Sequence, residues 1–486
     1  MNQKLRLLVL LVSSLSFSQV QIGQDINSEA AGDQLGRSVN LSSDGSIMAI
    51  GANRNDDNGG LSGHVRIYEN QSGTWVQIGQ DIDGEAADDQ SGWSVSLSSD
   101  GSIVAIGAER NDGNGNDSGH VRIYENQSDT WVQIGQDIDG EAVGDESGGS
   151  VSLSSDGTVV AIGARGNDGN GTSSGHVRIY ENQGGTWVQI GQDIDGEAES
   201  DLSGLGVSLS STGSIIAIGA GGNDANGSNS GHVRIYENQS DTWTQIGQDI
   251  DGETALDQSG TSVSLSSDGS IVAIGARLND GNGNSSGHVR IYEIQSDIWV
   301  QIGQDIDGEE AVSFSGSDVS LSSDGSIVAI GAPNNLNTSV SGHVRIYENQ
   351  SDTWVQIGED IDGEATGDLL GWSVSLSSDG SSVAISARGY SSFSGLARVY
   401  DLSALLSSNE FVVSQFKLYP NPTKNQFTIQ LDSSVELEEI SIHNLLGQVV
   451  LTSKEHIVNT SKLASGSYIV EVITNQGKAT KKLIID

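Results

Sequence analysis

Six copies of Gly-His-Val-Arg-Ile-Tyr punctuate this chain, and most follow a stretch crowded with Asp, Asn and Gly, as in NDGNGNDSGHVRIY from Asn111 to Tyr124. Asp112, Asn114 and Asn116 set side-chain oxygens at every second residue, the pattern of loops that hold a hard cation such as calcium. Asp168 with Asn170, Asp224 with Asn226 and Asp280 with Asn282 repeat the pair, so all nine are candidate calcium ligands. An EF-hand is excluded, because its twelfth position needs a bidentate acid and is Ile123 here. The competing reading is a set of solvated turns, for which the same residue types are favoured by local backbone chemistry.

A second candidate site comes from disagreement between repeats. After a recurrent Gly the seven copies read Arg37, Trp93, Gly149, Leu205, Thr261, Ser317 and Trp372. A position that varies while its neighbours repeat is not dictated by packing, and Trp93, Trp372 and Arg37 form the expected ligand platform, two indoles and a guanidinium for stacking on and hydrogen-bonding a sugar. The competing reading has the indoles filling gaps. The His and Arg of the six-residue word recur in almost every copy, whereas catalysis needs one unique constellation, so they are read as scaffold. No nucleophile elbow, zinc helix or phosphate loop is present, and abundant carboxylates without a unique pair do not make a glycosidase. An enzyme is not expected.

The elements that must position these residues follow from the repeat. Gln-Ile-Gly-(Gln/Glu)-Asp-Ile recurs with its Gly at 23, 79, 135, 191, 247, 303 and 358, steps of 56 residues with one of 55. Each copy holds four apolar runs between turn signals; in the second these are Val76–Ile82, Ser94–Leu97, Ile103–Ala108 and His120–Tyr124. Four short strands repeated seven times predict an all-β, seven-bladed β-propeller. The array opens on an outer-type strand at Val20–Ile26 and ends without another, so that strand should complete the last blade and close the ring, hiding its edges. Closure places Trp372, Arg37 and Trp93 side by side at the central mouth.

Composition sets the limits. With no Cys, neither disulfides nor thiolate chemistry is available. The net charge is −43, and the array contains Arg but no Lys. Such a field repels nucleic acid and anionic membranes and attracts divalent cations or basic partners.

Several blocks resemble a known family. Ser91-Gly92-Trp93-Ser94-Val95-Ser96-Leu97, Ile106-Gly107-Ala108, Gly119-His120-Val121-Arg122-Ile123-Tyr124 and Gly331-Ala332-Pro333 look like FG-GAP repeats, the blades of integrin-α-type propellers, although the usual Phe before Gly is Leu35, Ser91 or Leu370. The resemblance implies the fold and says little about the ligand. That family's calcium loop lies between a blade's first two strands; here the connection is only Ser98-Ser99-Asp100-Gly101-Ser102, so the family's metal set does not carry over.

Both ends read as addresses. Lys4 and Arg6, the apolar run Leu7–Val12 and the small residues Ser16 and Ser18 make 1–18 an expected signal peptide, too short to span a bilayer, and no transmembrane segment is expected after it. After the propeller at 19–402 comes a Ser/Leu linker, 403–410, and a second domain, 411–486. There Leu418-Tyr419-Pro420-Asn421-Pro422, Asn444-Leu445-Leu446-Gly447-Gln448, Gly466-Ser467-Tyr468-Ile469-Val470 and Lys481-Lys482-Leu483-Ile484-Ile485 closely resemble the type A C-terminal sorting domain of the type IX secretion system of Bacteroidota. The resemblance implies a small β-sandwich, the secretion machinery as partner, and a route through the periplasm to the cell surface or medium. Tyr419, Pro420, Asn421, Pro422, Gly447, Gly466, Tyr468, Lys481 and Lys482 carry it. The expected function is a secreted or surface adhesion module with a glycan or protein ligand; a secreted hydrolase and a structural surface component are the alternatives.

Overall fold

The computed structural model describes residues 19–334, 341–406, 416–431, 437–444, 449–474 and 477–485. The expected signal peptide, 1–18, lies outside them, as does Gly447. The chain divides into two compact units, 1–402 and 403–486. No helix among the described residues is long and apolar enough to cross a membrane.

The first unit is seven antiparallel sheets. In the second sheet an inner strand, Ser94–Leu97, pairs with Ile103–Ala108, then His120–Asn126, then Trp131–Gln133. The middle strands are buried because each blade is sandwiched between two others. Val121 and Ile123 pack into the core shared with the third blade, while Tyr124 packs back against Val65 and Ile67 of the first. Alternation along one strand thus serves two different interfaces.

Closure is visible in two rings of hydrogen bonds. Going around the channel, Leu97 N donates to Asn40 Oδ1, and Leu153, Leu209, Leu265, Leu321, Leu376 and Leu41 each donate to a Ser Oγ of the preceding inner strand, the last to Ser375. Beneath them the Ser-Ser-Asp-Gly turns link backbone to backbone from Ser43 to Ser99, then Ser155, Ser211, Ser267, Ser323 and Ser378, which returns to Ser43. The expected clasp is also present: Val20–Gln21 and Ile26–Asn27 both pair with Leu396–Asp401 and complete the seventh sheet.

Each sheet has five strands rather than the expected four. The outer strand breaks after Trp131–Gln133 and resumes as Ile138–Asp139, which pairs with His120 and Val121. The break sits at a left-handed Gly, as at Gly79 (φ +74°), where an added Cβ would stand 2.7 Å from Trp131 Cδ1 of the next blade. The gap admits that indole, whose Nε1 donates to Ile78 O at 2.9 Å, while Gln80 bonds both the N–H and C=O of Trp131. Repeated at six of the seven junctions, this forms a belt joining neighbouring outer strands, so the buried Trp row is blade packing.

The second unit begins with a helical turn, Ser403–Leu406, where a plain linker was expected; Leu405 is buried. Its sheets are three-stranded, Phe416–Tyr419, Gln426–Leu431 and Ile457–Asn459, and four-stranded, Leu437–His443, Val449–Ser453, Gly466–Thr474 and Gly477–Ile485. Phe416, Phe427 and Ile429 of one pack against Ile440, Val470 and Leu483 of the other, giving the expected sandwich core.

Candidate functional site

A bulge aims the variable residue in four of the seven copies. In four blades the inner strand slips register at its start, between Leu35 and Ser38, Ser147 and Ser150, Ser203 and Gly206, and Leu370 and Val374. The slip contains a left-handed Gly, such as Gly36 (φ +84°) or Gly371 (φ +84°), followed by the variable residue. A residue inside a bulge is released from the ladder and re-aimed. Here it turns into a cavity of about 560 Å³ at the mouth of the channel, lined by Arg37, Trp93, Arg165, Arg277, Asp318 and Trp372 among others.

The structure brings Trp93, Arg37 and Trp372 together, in an arrangement that differs from the expected stacking platform. The Arg37 guanidinium lies 3.8 Å from the Trp93 ring centroid and 5.6 Å from that of Trp372. Arg388 covers Trp372 at 3.4 Å, and Arg165 stands 5.7 Å from Trp93. The result is a column, Arg388, Trp372, Arg37, Trp93, Arg165, in which cations alternate with π-faces. Both indoles have guanidiniums at their faces, so a sugar ring does not find them bare. The ligand-facing chemistry of the column is its guanidinium edges.

Sequence reasoning missed Arg388, Arg165 and Arg277, although a signal existed. The residue after the Ala that ends each second strand also varies, reading Asn53, Glu109, Arg165, Gly221, Arg277, Pro333 and Arg388. The fold sets this second variable position beside the first. In a chain of net charge −43, the arginines of the array outside the repeated word are Arg37, Arg54, Arg110, Arg165, Arg277 and Arg388, every one at or next to the two variable positions.

The carboxylates of the mouth are perturbed. Glu109 is fully buried, and burial pushes its pKa up to about 7 against the opposing pull of Arg165, whose Nη2 is 3.0 Å from Glu109 Oε2. Neither Glu109 oxygen has a well-aligned hydrogen bond, which explains why burial prevails. Arg165 is also held by Glu146 at 2.7 Å. Burial raises Asp318 to about 6, although the N–H of Val374 donates to Oδ2 at 2.8 Å. Burial and Arg388 lower Arg37 to about 9, and burial lowers Arg388 to about 10. Both guanidiniums stay cationic at neutral pH.

The expected calcium oxygens lie in separate loops, one per blade, and serve those loops. Asp112 Oδ1 accepts from Asp117 N at 2.9 Å, and Asp168, Asp224 and Asp280 do the same for Ser173, Asn229 and Ser285. Asn114, Asn170, Asn226 and Asn282 donate to the carbonyls of Gly140, Gly196, Gly252 and Gly308, tying each loop to its own blade's exit link. Asn116 donates to Asp117 Oδ2. Acidic groups converge elsewhere, around the repeated His, as in Glu85, His120 and Asp137. Arg122 bonds Asp83 O at 2.7 Å and stands 3.7 Å from Glu85 Oε1, both in the link from the preceding blade, which fits the scaffold reading of the repeated Arg.

Among the sorting residues, Asn421 is a structural clip. Its Nδ2 donates to Lys482 O at 2.7 Å and its Oδ1 accepts from Ile484 N at 2.9 Å, joining the Tyr419-Pro420-Asn421-Pro422 segment to the final strand. Tyr468 donates to Ala464 O at 2.8 Å, two residues before Gly466 opens its strand, and Lys481 bonds Phe416 O across the sandwich.

Residues 417–486 match the family model of the secretion system C-terminal sorting domain, and residues 82–124 match that of the FG-GAP repeat. A curated relative, ulvan lyase NLR42 of Nonlabens ulvanivorans, is 38% identical over 90 residues, 17% of either chain, so this chain spans about a sixth of that relative's length. Among solved structures, hydrazine synthase of Kuenenia stuttgartiensis superposes with a TM-score of 0.50 at 14% identity, over 77% of this chain and 97% of that one. At such identity the likeness is one of fold alone.

Proposed function

We propose that this chain, a secreted propeller with an FG-GAP repeat and a type IX secretion sorting domain, is a binding protein and not an enzyme, and that its central mouth takes an anionic glycan. The sorting tail marks export to the cell surface or the extracellular space. The carrying observation is the Arg388–Trp372–Arg37–Trp93–Arg165 column, a local concentration of guanidiniums in an otherwise acidic chain. Guanidinium forks match carboxylate and sulfate oxygens two at a time, and the intervening indoles hold them in place. The surrounding negative field disfavours any anion that is not threaded into this mouth, which favours an extended acidic chain end over a bulky polyanion.

The test is a glycan array probed with the secreted protein, comparing uronate-bearing and sulfated chains with their neutral counterparts. Acidic chains should bind, and Arg37→Ala should weaken them about tenfold or more, the equivalent of losing one charge-assisted contact. Binding of neutral chains alone, or shortening of the polysaccharide on incubation, overturns the reading.

A further inference from the structure

We infer that the propeller carries a circle of equivalent sites for a divalent transition ion of the zinc class, each formed by one buried histidine and two or three carboxylates at the junction of successive blades. The site does not depend on the glycan reading and uses none of its residues.

In the second blade the site is Glu85, from the link leaving the first blade, His120, which opens the third strand, and Asp137, from the break in the outer strand. Their ligand atoms lie within 4.8 Å of one another, and the same grouping recurs around His64, His176, His232 and His288. The fold makes these groups meet. The outer-strand break exposes one carboxylate beside the third strand, and the incoming link lays a Glu over it.

The imidazoles are buried, and two of them lack a partner at the nitrogen that faces the carboxylates. The His64 and His120 side chains are 0% and 2% exposed. Nδ1 of both His64 and His232 is buried with no hydrogen-bond partner. Nδ1 of His64 faces Asp81 Oδ2 at 3.8 Å and Asp57 Oδ2 at 4.0 Å; His120 faces Glu85 Oε2 at 3.9 Å, His232 faces Glu197 Oε2 at 4.0 Å, and His288 faces Glu253 Oε2 at 3.9 Å. These gaps are too long for a hydrogen bond. A tetrahedral zinc sets its nitrogen and oxygen ligands about 3.4 Å apart, so each carboxylate would need to draw in by only about half an ångström to share an ion with the ring. An imidazole lone pair aimed at carboxylates is repelled, and an N–H aimed at them should close to contact; a cation between them satisfies both groups.

The surroundings also suit an ion. Asp137 is steadied by Gln133, which donates to its Oδ1 at 2.6 Å, and the Arg122 cation stands 3.7 Å from Oε1 of Glu85, while Oε2 lies toward His120. Such outer partners orient metal ligands. Glu85, Asp137 and Asp139 against Arg122 leave a local charge near that which a dication cancels. Calcium is the wrong ion, because it takes six to eight oxygens and does not seek imidazole, whereas nitrogen with carboxylate suits zinc and its neighbours.

The experiment uses the full secreted chain, stripped with chelator and titrated calorimetrically with zinc chloride or calcium chloride, with bound metal counted after dialysis. Zinc should bind saturably at up to five per chain, one for each convergent group, and equimolar calcium should not displace it. Because loss of the buried His risks the fold, the variant is Glu85→Gln with Asp137→Asn. It should lose one zinc and keep the metal-free melting temperature of the parent. An absence of zinc uptake up to about 100 micromolar, displacement by equimolar calcium, or a zinc count unchanged in the double variant would each overturn the assignment.

Discussion

The substitution Glu109→Gln measures which force wins at the mouth of the channel. The wild-type carboxyl is fully buried beside Arg165, and burial raises its pKa from the ordinary 4.5 to about 7. Because the folded pKa lies above the unfolded one, the unfolded chain gives up this proton first. The stability associated with the group is therefore fully present below pH 4.5 and is lost as pH rises through about 7. At roughly 1.4 kcal/mol per unit, the loss is about 3 kcal/mol. The amide of the variant is neutral throughout, so the two proteins should be equally stable in acid, with the variant ahead by about 3 kcal/mol at pH 8. Denaturant unfolding of both proteins across this range gives the difference directly, and other titrating groups cancel. A variant equal to or less stable than wild type at pH 8 would falsify the argument, since it would mean that the Arg165 ion pair outweighs the cost of burying the charge. The same titration has a functional counterpart. Protonation of Glu109 leaves Arg165 less neutralised, so an acidic glycan should bind more tightly at pH 6 than at pH 8.

Salt should stabilise the propeller, because nearly all the acidic residues behind the chain's net charge of −43 lie in it and their mutual repulsion is screened beyond a Debye length of about 8 Å; a melting temperature unchanged or lowered between dilute buffer and seawater-like ionic strength contradicts this. Asn421→Ala removes both hydrogen bonds that clip the Tyr419–Pro422 segment to the last strand. It should cost the sandwich about 1–3 kcal/mol, seen in calorimetry as a lowered second transition beside an unmoved propeller transition, and it should reduce the amount of protein exported.

The 56-residue period, the alternation in each third strand and the strand left over at the N-terminus determined the propeller and its closure without any coordinates, because a strand's two faces and a ring's need for equal numbers of strand types are local and arithmetical facts. The sorting segment was equally legible, since its motifs stand in linear order. What tertiary structure decided lies where residues far apart in sequence meet. Arg388 and Arg37 stand at opposite ends of the array, yet both lie against Trp372, and only closure and the bulges of the first and seventh inner strands bring them there. Sequence variability located Trp93, Trp372 and Arg37 but carried no information about which side chain covers which. The Asp and Asn of the loops have a ligand's spacing, and the fold shows what spacing does not, that each also bonds a backbone group of its own loop or exit link. The convergent acids instead surround a histidine read as scaffold: a Glu 35 residues before it and an Asp 17 after it recur with the repeat, but that spacing carries no information on whether the three groups meet. Spacing along a chain reports which groups can face one way; whether they face one another depends on bulges, breaks and closure, which are set by the packing of whole blades.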